Sequence, residues 1–303
     1  MVNRITKRRL RLFLIYDLWK VVVVSVLVCA ILLLAFNFVA KKPTDGQEFK
    51  ILIDDDIAMG NDIGGLFEDL FTKKPTEGGF SYEMLKGDTT YMYSSDENPE
   101  EYLLQTVYGD LNYDDVVILA EDLYLKYLQM GMATDINKYI ASAKKFLIDN
   151  DLCNELGEFN EQKVNEYFNK TRKRDSRFRT KAEKEQGRID ELERLKGIWF
   201  MATSLESCFA SHPELLDEER EGNFLGKKVN GVYALNLGAL VGKQGKDASN
   251  LFYLTKADDK GDITYTADGI FVAIGNNSNE NGDLFYEMLA VLYTLIENYT
   301  NYL

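Results

Sequence analysis

Histidine and cysteine are scarce in this chain of 303 residues. Its single histidine, His212, excludes an HExxH zinc helix, because that helix needs two histidines on one face. The same residue would have to be the base of any Ser-His-Asp arrangement, yet its neighbours Ser211 and Pro213 are typical of a helix end or a turn. The three cysteines have neither CxxC nor Cys/His metal spacing. We therefore predict no metal and no other cofactor.

Motifs for phosphate binding and nucleophilic catalysis are also missing. The segment from Gly242 to Asp247 is rich in glycine and lysine, but it does not have the GxxxxGKS/T spacing of a phosphate-binding loop. The sequence shows no nucleophile paired with a base that would activate it. We predict that the protein is not an enzyme.

The cysteines leave one question open. Cys29 lies in a long apolar stretch, whereas Cys153 and Cys208 lie in the polar part of the chain. The latter two either form a disulfide or are two small buried side chains, and the sequence alone does not decide between these alternatives.

Acidic residues outnumber basic ones by 49 to 35, which gives a net charge of −14. The first 20 residues are the exception, with six basic residues and one acid, so the rest of the chain carries −19. A polyanion of that size repels nucleic acids, and we predict no nucleic-acid partner. The basic residues of the head are Arg4, Lys7, Arg8, Arg9, Arg11 and Lys20.

An uncharged apolar stretch follows the head, from Val21 to Ala40. Twenty helical residues span roughly 30 Å, the thickness of the hydrocarbon core of a bilayer. The stretch therefore predicts a transmembrane helix. The excess of basic residues before it predicts an N-terminus inside the cell and the bulk of the chain outside.

Cleavage and lipidation are the alternatives to an uncleaved anchor. The apolar run is longer than the h-region of about 7–15 residues in a signal peptide, and Phe38 stands where a small residue is needed for cleavage. Lipidation at Cys29 is disfavoured because Val28 precedes it, where a small residue is normal. We favour a single-pass protein of the cell membrane, with a cytoplasmic head at 1–20, an anchor at 21–40, a linker at 41–48 and an extracytoplasmic domain at 49–303.

The exterior begins with alternating strand and helix patterns. Such alternation predicts βαβ units, a parallel sheet and the α/β class. The strand patterns cover 49–53, 80–85 and 115–119, and helices begin near Asp62, Asn98 and Glu121. Later strand patterns cover 231–237 and 269–275, with a hairpin or loop at 256–268 and a final amphipathic helix from Asp283.

A helical and strongly charged segment covers about 146–216. Within it, one long helix is predicted to pack an apolar stripe on the core, and the stripe comprises Ile189, Leu192, Leu195, Trp199, Ala202 and Leu205. A basic island precedes this stripe. It is either a solvated helical face or mobile loop, or a docking patch for an acidic partner or a wall polymer. The candidate docking residues are Arg172, Arg174 and Arg177.

Two segments resemble bacterial extracellular solute-binding proteins. Residues 114–140 resemble the family's D-V-V-I-x-x-x-D strand and helix, followed by G-x-x-x-D-L-x-x-Y. Residues 271–295 are similar to a strand, an N-S turn and a long helix near the end of these proteins. The resemblance implies two α/β lobes that clamp a ligand, with lobe one formed by about 49–140 and C-terminal elements. It also implies an ABC permease or another membrane protein as partner. With its uncleaved anchor, this chain would be a membrane-tethered relative of the family, which has either kept or lost the family's ligand.

Polar side chains follow several predicted strands, where open α/β sheets bind ligands. We expect clustered carboxylates there to favour a small cationic or polar solute or a hard metal ion. The alternatives are a solvated loop, first-turn helix acids and an ordinary turn. The candidate ligand-binding residues are Asp54, Asp55, Asp56, Glu121, Asp122, Asn276, Asn277 and Ser278.

The function that this sequence predicts is therefore capture of a small solute, or assistance to transport, by a membrane-anchored extracytoplasmic protein. The alternative is a non-catalytic protein of the cell envelope that docks a membrane partner through its helical and basic segment.

Overall fold

A computed structural model gives the fold. It describes residues 18–39, 48–60, 62–73, 86–92, 115–172, 178–224, 227–242, 247–257, 263–275 and 284–303. The chain divides into two compact units, Met1–Lys42 and Pro43–Leu303.

The first unit contains helix α1, which covers Leu18–Val39 and has 22 residues. All side chains described in it, from Leu18 to Leu34, are exposed. Within the described part of the chain, no helix combines the length and the apolar character needed to cross a bilayer. The transmembrane anchor stays a prediction.

The second unit contains the other helices and all the described strands. The strands are β1 (Glu48–Asp54), β2 (Ile57–Met59), β3 (Lys86–Met92), β4 (Val116–Ala120), β5 (Ala133–Thr134), β6 (Arg220–Phe224), β7 (Lys227–Gly231), β8 (Ala234–Asn236), β9 (Phe252–Ala257), β10 (Ile263–Thr266) and β11 (Ile270–Gly275). The helices are α2 (Ile63–Thr72), α3 (Glu121–Gln129), α4 (Ile136–Asp149), α5 (Glu161–Thr171), α6 (Lys181–Ser211) and α7 (Phe285–Tyr299). Short 3₁₀ helices cover Pro213–Leu215, Leu237–Leu240 and Ala248–Asn250.

The main sheet has the strand order β3-β1-β4-β11-β5, and β8 also pairs with β11. β1 is parallel to both β3 and β4, as the βαβ pattern predicts, and the α/β class is confirmed. β11 differs, because it runs antiparallel to β4, β5 and β8. The strand predicted at 80–85 and the helix predicted from Asn98 lie outside the described residues.

Side chains cover the main sheet on both faces. Ile51, Ile53 and Ile118 pack with α2, α4, α6 and α7 in one apolar cluster. Leu52 and Leu119, which alternate with them, pack with α3 in a second cluster. Because strand side chains alternate between faces, a strand that is buried on both faces has an unbroken apolar sequence, as β4 does.

Two smaller sheets complete the unit. β2, β9 and β10 form a three-stranded antiparallel sheet. The hairpin or loop predicted at 256–268 therefore corresponds to the antiparallel pair β9 and β10, of which β9 begins earlier, at Phe252. β6 and β7 form a two-stranded hairpin.

The helical segment is also confirmed, with α6 as its longest helix at 31 residues. A capping box opens α6, since the Thr180 hydroxyl accepts from the backbone of Glu183 and the Glu183 carboxylate accepts from the backbone of Thr180. Leu195, Ala202 and Leu205 are buried as predicted. Ile189 is an exception, because half of it is exposed (50%).

Cys153 and Cys208 are both buried thiols, and the described structure contains no disulfide between them. Of the two alternatives left by the sequence, the structure therefore shows two small buried side chains.

A buried ion pair joins α6 to α7. The Arg194 guanidinium donates to both carboxylate oxygens of Glu287, from Nε at 3.1 Å and from Nη2 at 2.8 Å. Both side chains are almost fully buried, and Glu191 lies 3.8 Å from Nη1 of the same guanidinium. The pKa of Arg194 is shifted by two opposed effects: burial acts to lower it, whereas the two carboxylates raise it and prevail.

Loss of one partner should destabilise the second unit strongly. In Glu287→Gln, a buried guanidinium loses the nearer of its two carboxylates, and breaking a buried pair typically lowers the free energy of unfolding by about 3–5 kcal/mol. The matched control is Glu166→Gln, which removes the exposed pair with Lys163 and should cost about 0–1 kcal/mol. Urea unfolding of residues 43–303 measures both changes. Equal losses in the two variants would contradict the role of the buried pair.

Candidate functional site

The carboxyl ends of β1 and β4 lie side by side, because these strands are parallel and Ile53 pairs with Ile118. Asp54, the last residue of β1, links the two ends. Its carboxylate accepts hydrogen bonds from the backbone N–H of Ala120 and of Asp56, both at 3.2 Å.

Asp54, Asp55 and Asp56 form what we call the aspartate cluster. The carboxylate oxygens of the three lie within 4.8 Å of one another, with Asp54 buried and the other two exposed. Burial raises the pKa of Asp54 above its usual 3.8, and the two neighbouring aspartates act in the same direction. The backbone hydrogen bonds oppose this shift but do not cancel it. One buried carboxylate therefore positions two exposed ones at the edge of the sheet.

Glu121 and Asp122 lie next to this cluster in the first turn of α3, where negative charge is favoured by the helix dipole. Both are exposed. Glu121 directly follows Ala120, whose N–H is bonded to Asp54, so the structure brings Glu121 to the same edge as the aspartate cluster. The Glu121 carboxylate also lies 3.7 Å from Arg220.

A polar network around Asp217 lies behind Glu121, and the sequence analysis missed it. The buried Asp217 carboxylate accepts from the Tyr124 hydroxyl at 3.1 Å and from Arg220 Nε at 2.5 Å and Nη2 at 3.1 Å. Burial and the adjacent carboxylate both raise the pKa of Tyr124, so its hydroxyl stays protonated and donates. The Tyr124 ring stacks on Phe271 of β11, with the ring centroids 4.6 Å apart.

The network leaves this edge of the sheet acidic. Arg220 is its cation, and the guanidinium is also 3.5 Å from Glu218. With Asp217 and Glu121, three carboxylates therefore lie within 4 Å of one arginine. The spacing of three positions between Asp217 and Arg220 is a sequence signal that could have indicated their ion pair. Nothing in the sequence indicated that Tyr124 joins them.

The third predicted part of the site, Asn276, Asn277 and Ser278, lies outside the described residues. Its expected position depended on β11 ending at the same edge as β1 and β4, and that premise is wrong. Because β11 is antiparallel to β4, its last residue, Gly275, donates its backbone N–H to Asp115 O at the opposite edge. At the acidic edge stands the turn before β11, where a Cβ on Gly269 would lie 3.9 Å from that of Glu121.

Of the three predicted docking residues, the structure describes Arg172 alone. Arg172 is buried and its backbone N–H bonds to Phe168 O at the end of α5, so it does not present an exposed docking side chain, and that prediction is wrong. Arg174 and Arg177 lie outside the described residues. Exposed basic side chains do remain on either side of this gap, namely Lys170, Arg179, Lys181 and Lys184.

An open concavity of about 930 Å³ lies at the loop between α4 and α5. Its polar lining is largely engaged within the loop itself, since the Asn154 carboxamide oxygen accepts from the backbone of Leu156 and of Glu158, each at 3.0 Å. Gly157 of this loop packs against the ring of Trp199 on α6 and has a positive φ of 79°. We assign no function to this concavity.

Comparison with protein-family models, with curated proteins and with solved structures finds no match for the chain.

The raised pKa of Asp54 predicts a pH effect on stability. Between 3.8 and the higher pKa of the folded state, the folded protein binds more protons at Asp54 than the unfolded chain does. The contribution of this group to the free energy of unfolding therefore falls as pH rises through that interval. Asp54→Asn removes the contribution, so the native protein should lose stability relative to this variant as the pH rises.

Urea unfolding of native and Asp54→Asn protein across the acidic range measures this difference. Glu155→Gln, which removes an exposed acid from the loop between α4 and α5, is the control, and its pH profile should keep the Asp54 contribution. A constant difference between the native and Asp54→Asn profiles would contradict the burial of a titrating carboxyl at this position.

Proposed function

We propose that this protein is anchored in the cell membrane by α1 and that its second unit captures a small cationic solute outside the cell. The ligand binds at the acidic edge of the main sheet, and no bond chemistry takes place. The observation that carries the proposal is the aspartate cluster, in which a buried Asp54 holds two exposed carboxylates beside Glu121.

The charge of this edge favours a cation. Four exposed acids follow the neighbouring ends of β1 and β4, namely Asp55, Asp56, Glu121 and Asp122. The cation of this edge, Arg220, is already surrounded by three carboxylates. Opposite charge steers a ligand to such a surface and selects against anions. Oxygen ligands suit a hard ion such as calcium, and a polyamine would use the same carboxylates as hydrogen-bond acceptors.

The fold of the second unit supports a solute-binding-like protein. Late elements of the chain, β11 and α7, return to the sheet formed by β1, β3 and β4, as the resemblance implies for lobe one. The acidic edge lies at the carboxyl ends of the parallel strands β1 and β4, and ligands usually bind at this position in open α/β sheets. In this proposal the exterior has two lobes, and an ABC permease or another membrane protein receives the solute.

Two properties of the sequence support the anchor. The uncharged stretch continues to Ala40, beyond the side chains that the structure describes in α1. The head before the stretch carries six basic residues, whereas only Lys41 and Lys42 lie close after it, as the positive-inside rule expects for a short cytoplasmic N-terminus.

A docking protein of the cell envelope is the second candidate function. The observation in its favour is the group of exposed basic side chains at the junction of α5 and α6, Lys170, Arg179, Lys181 and Lys184, in a strongly acidic body. Such a patch would bind an acidic protein surface. The two functions differ in whether free small cations bind to the second unit.

A cation should raise the thermal stability of residues 43–303. Calcium, magnesium, putrescine and spermidine are the probes, and a ligand at 100 times its dissociation constant adds about 2.7 kcal/mol to the free energy of unfolding. The shift should be lost in Asp55→Asn/Asp56→Asn. It should persist in Glu155→Gln/Glu161→Gln, which removes two exposed acids that line the concavity between α4 and α5. No shift with any probe, or an unchanged shift in the first variant, would refute binding at the aspartate cluster.

The anchor predicts that the full chain stays in the membrane pellet after an alkaline wash. Val26→Asp/Leu33→Asp should move it to the supernatant, because an acidic residue near the bilayer centre costs about 2.5–3.5 kcal/mol on insertion scales. Val26→Leu/Leu33→Val is the matched control and should remain in the pellet. Native protein in the supernatant would mean that α1 does not anchor the chain.

A further inference from the structure

Four residues form a stripe on the outer face of α6: Ile189, Glu193, Lys196 and Phe200. Their spacing of four, three and four positions covers about three helical turns, so all four side chains point to the same side. Ile189 and Phe200 are 50% and 58% exposed. The side chains of Glu193 and Lys196 are 41% and 46% exposed, and their charges lie 3.0 Å apart.

The opposite face of α6 is already used by the core. Leu195, Ile198, Ala202 and Leu205 are buried there, and Arg194 makes its ion pair with Glu287. The stripe therefore contributes nothing to the packing of α6 on the sheet. Two large apolar side chains, Ile189 and Phe200, remain in water on a helix whose apolar core positions are filled.

The order of residues in the stripe is complementary to itself. If a second copy of α6 lies antiparallel, with the twofold axis between positions 194 and 195, Ile189 of each copy meets Phe200 of the other. The same operation places Glu193 of each copy opposite Lys196 of the other. Both kinds of contact are favourable, and each occurs twice, as a closed twofold interface requires.

The parallel alternative is unfavourable. In a parallel pair in register, Glu193 would face Glu193 and Lys196 would face Lys196, so like charges would meet at the centre of the contact. The charge pattern thus selects one orientation as well as one register.

We propose that the stripe on α6 is a homodimer contact in which two copies of this chain pack their α6 helices antiparallel. At its centre two Glu193–Lys196 pairs form between the copies, flanked on each side by Ile189 against Phe200. The ring of Tyr293 on α7, 5.8 Å from that of Phe200, extends the apolar flank.

The size of the stripe implies a weak contact. Stable complexes bury at least about 1,200 Å² in total, which two apolar and two charged side chains per copy do not supply. Confinement of the chains to one membrane would raise their effective concentration and favour the pair. That last step rests on the proposed anchor, whereas the pairing itself does not.

Disulfide trapping tests the orientation and register. Two single variants, Ile189→Cys and Phe200→Cys, are made in the full chain with Cys29→Ser, purified in a mild detergent and oxidised separately and as a mixture. The mixture should give a cross-linked dimer, because the two new thiols meet in the antiparallel pair. Each variant alone should give none, since positions 189 and 189 lie about 16 Å apart along the axis, beyond disulfide reach.

A matched mixture of Lys163→Cys and Glu166→Cys, at exposed positions on α5, controls for random collisions. Cross-linking in the control mixture equal to that of the stripe, or cross-linking in the single variants equal to that of their mixture, would overturn the proposal. The disulfide cross-linking is carried out in detergent without a membrane or a cation. A negative result would therefore count against the dimer contact alone, and not against the anchor or cation binding.

Charge exchange gives a second, independent readout of the same contact. In the trapping background, Glu193→Lys and Lys196→Glu each place like charges opposite one another and should abolish the cross-link. The double variant Glu193→Lys/Lys196→Glu exchanges the charges, keeps them complementary and should restore it. Single variants that cross-link as before, or a double variant that does not recover, would show that these residues do not meet across a dimer.

Discussion

The antiparallel return of β11 to the main sheet is the constraint on which the second unit depends. All six residues of this strand are buried, and it pairs with β4, β5 and β8. Since β11 ends at Gly275, the sheet cannot be completed without the last part of the chain. Its direction also decides which end of β11 shares the acidic edge with Asp54, namely the end that begins at the turn containing Gly269.

The same return brings α7 onto α6 and creates the buried pair of Arg194 and Glu287. Two buried charges cost desolvation energy, which the two short hydrogen bonds between them offset. A pair of this kind adds little net stability compared with an apolar replacement, but both of its hydrogen bonds form in the present setting of α7 against α6. That setting leaves the stripe of Ile189 and Phe200 on the outside.

Local patterns in the sequence were sufficient to place most elements, because periodicity records which face of an element is buried. They could not give the direction of β11, which is set by pairing with residues about 150 positions earlier in the chain. Charged residues such as Arg194 and Arg172 are by default assigned to the surface, so their burial had no sequence signal. Ile189 matched the helical spacing of the core stripe, yet it lies where α6 turns its side chains to solvent. The position of the aspartate cluster at the carboxyl end of β1 could be predicted because it depends only on the parallel neighbours β1 and β4.

The direction of β11 can be measured by cross-strand nuclear Overhauser effects between backbone protons of β4 and β11 in labelled protein containing residues 43–303. The account predicts effects in the antiparallel register, with Val272 opposite Ile118, Ile270 near Ala120 and Ile274 near Val116. Effects that pair Ile270 with Val116 and Ile274 with Ala120 would show a parallel strand. The acidic edge as described here would then not exist.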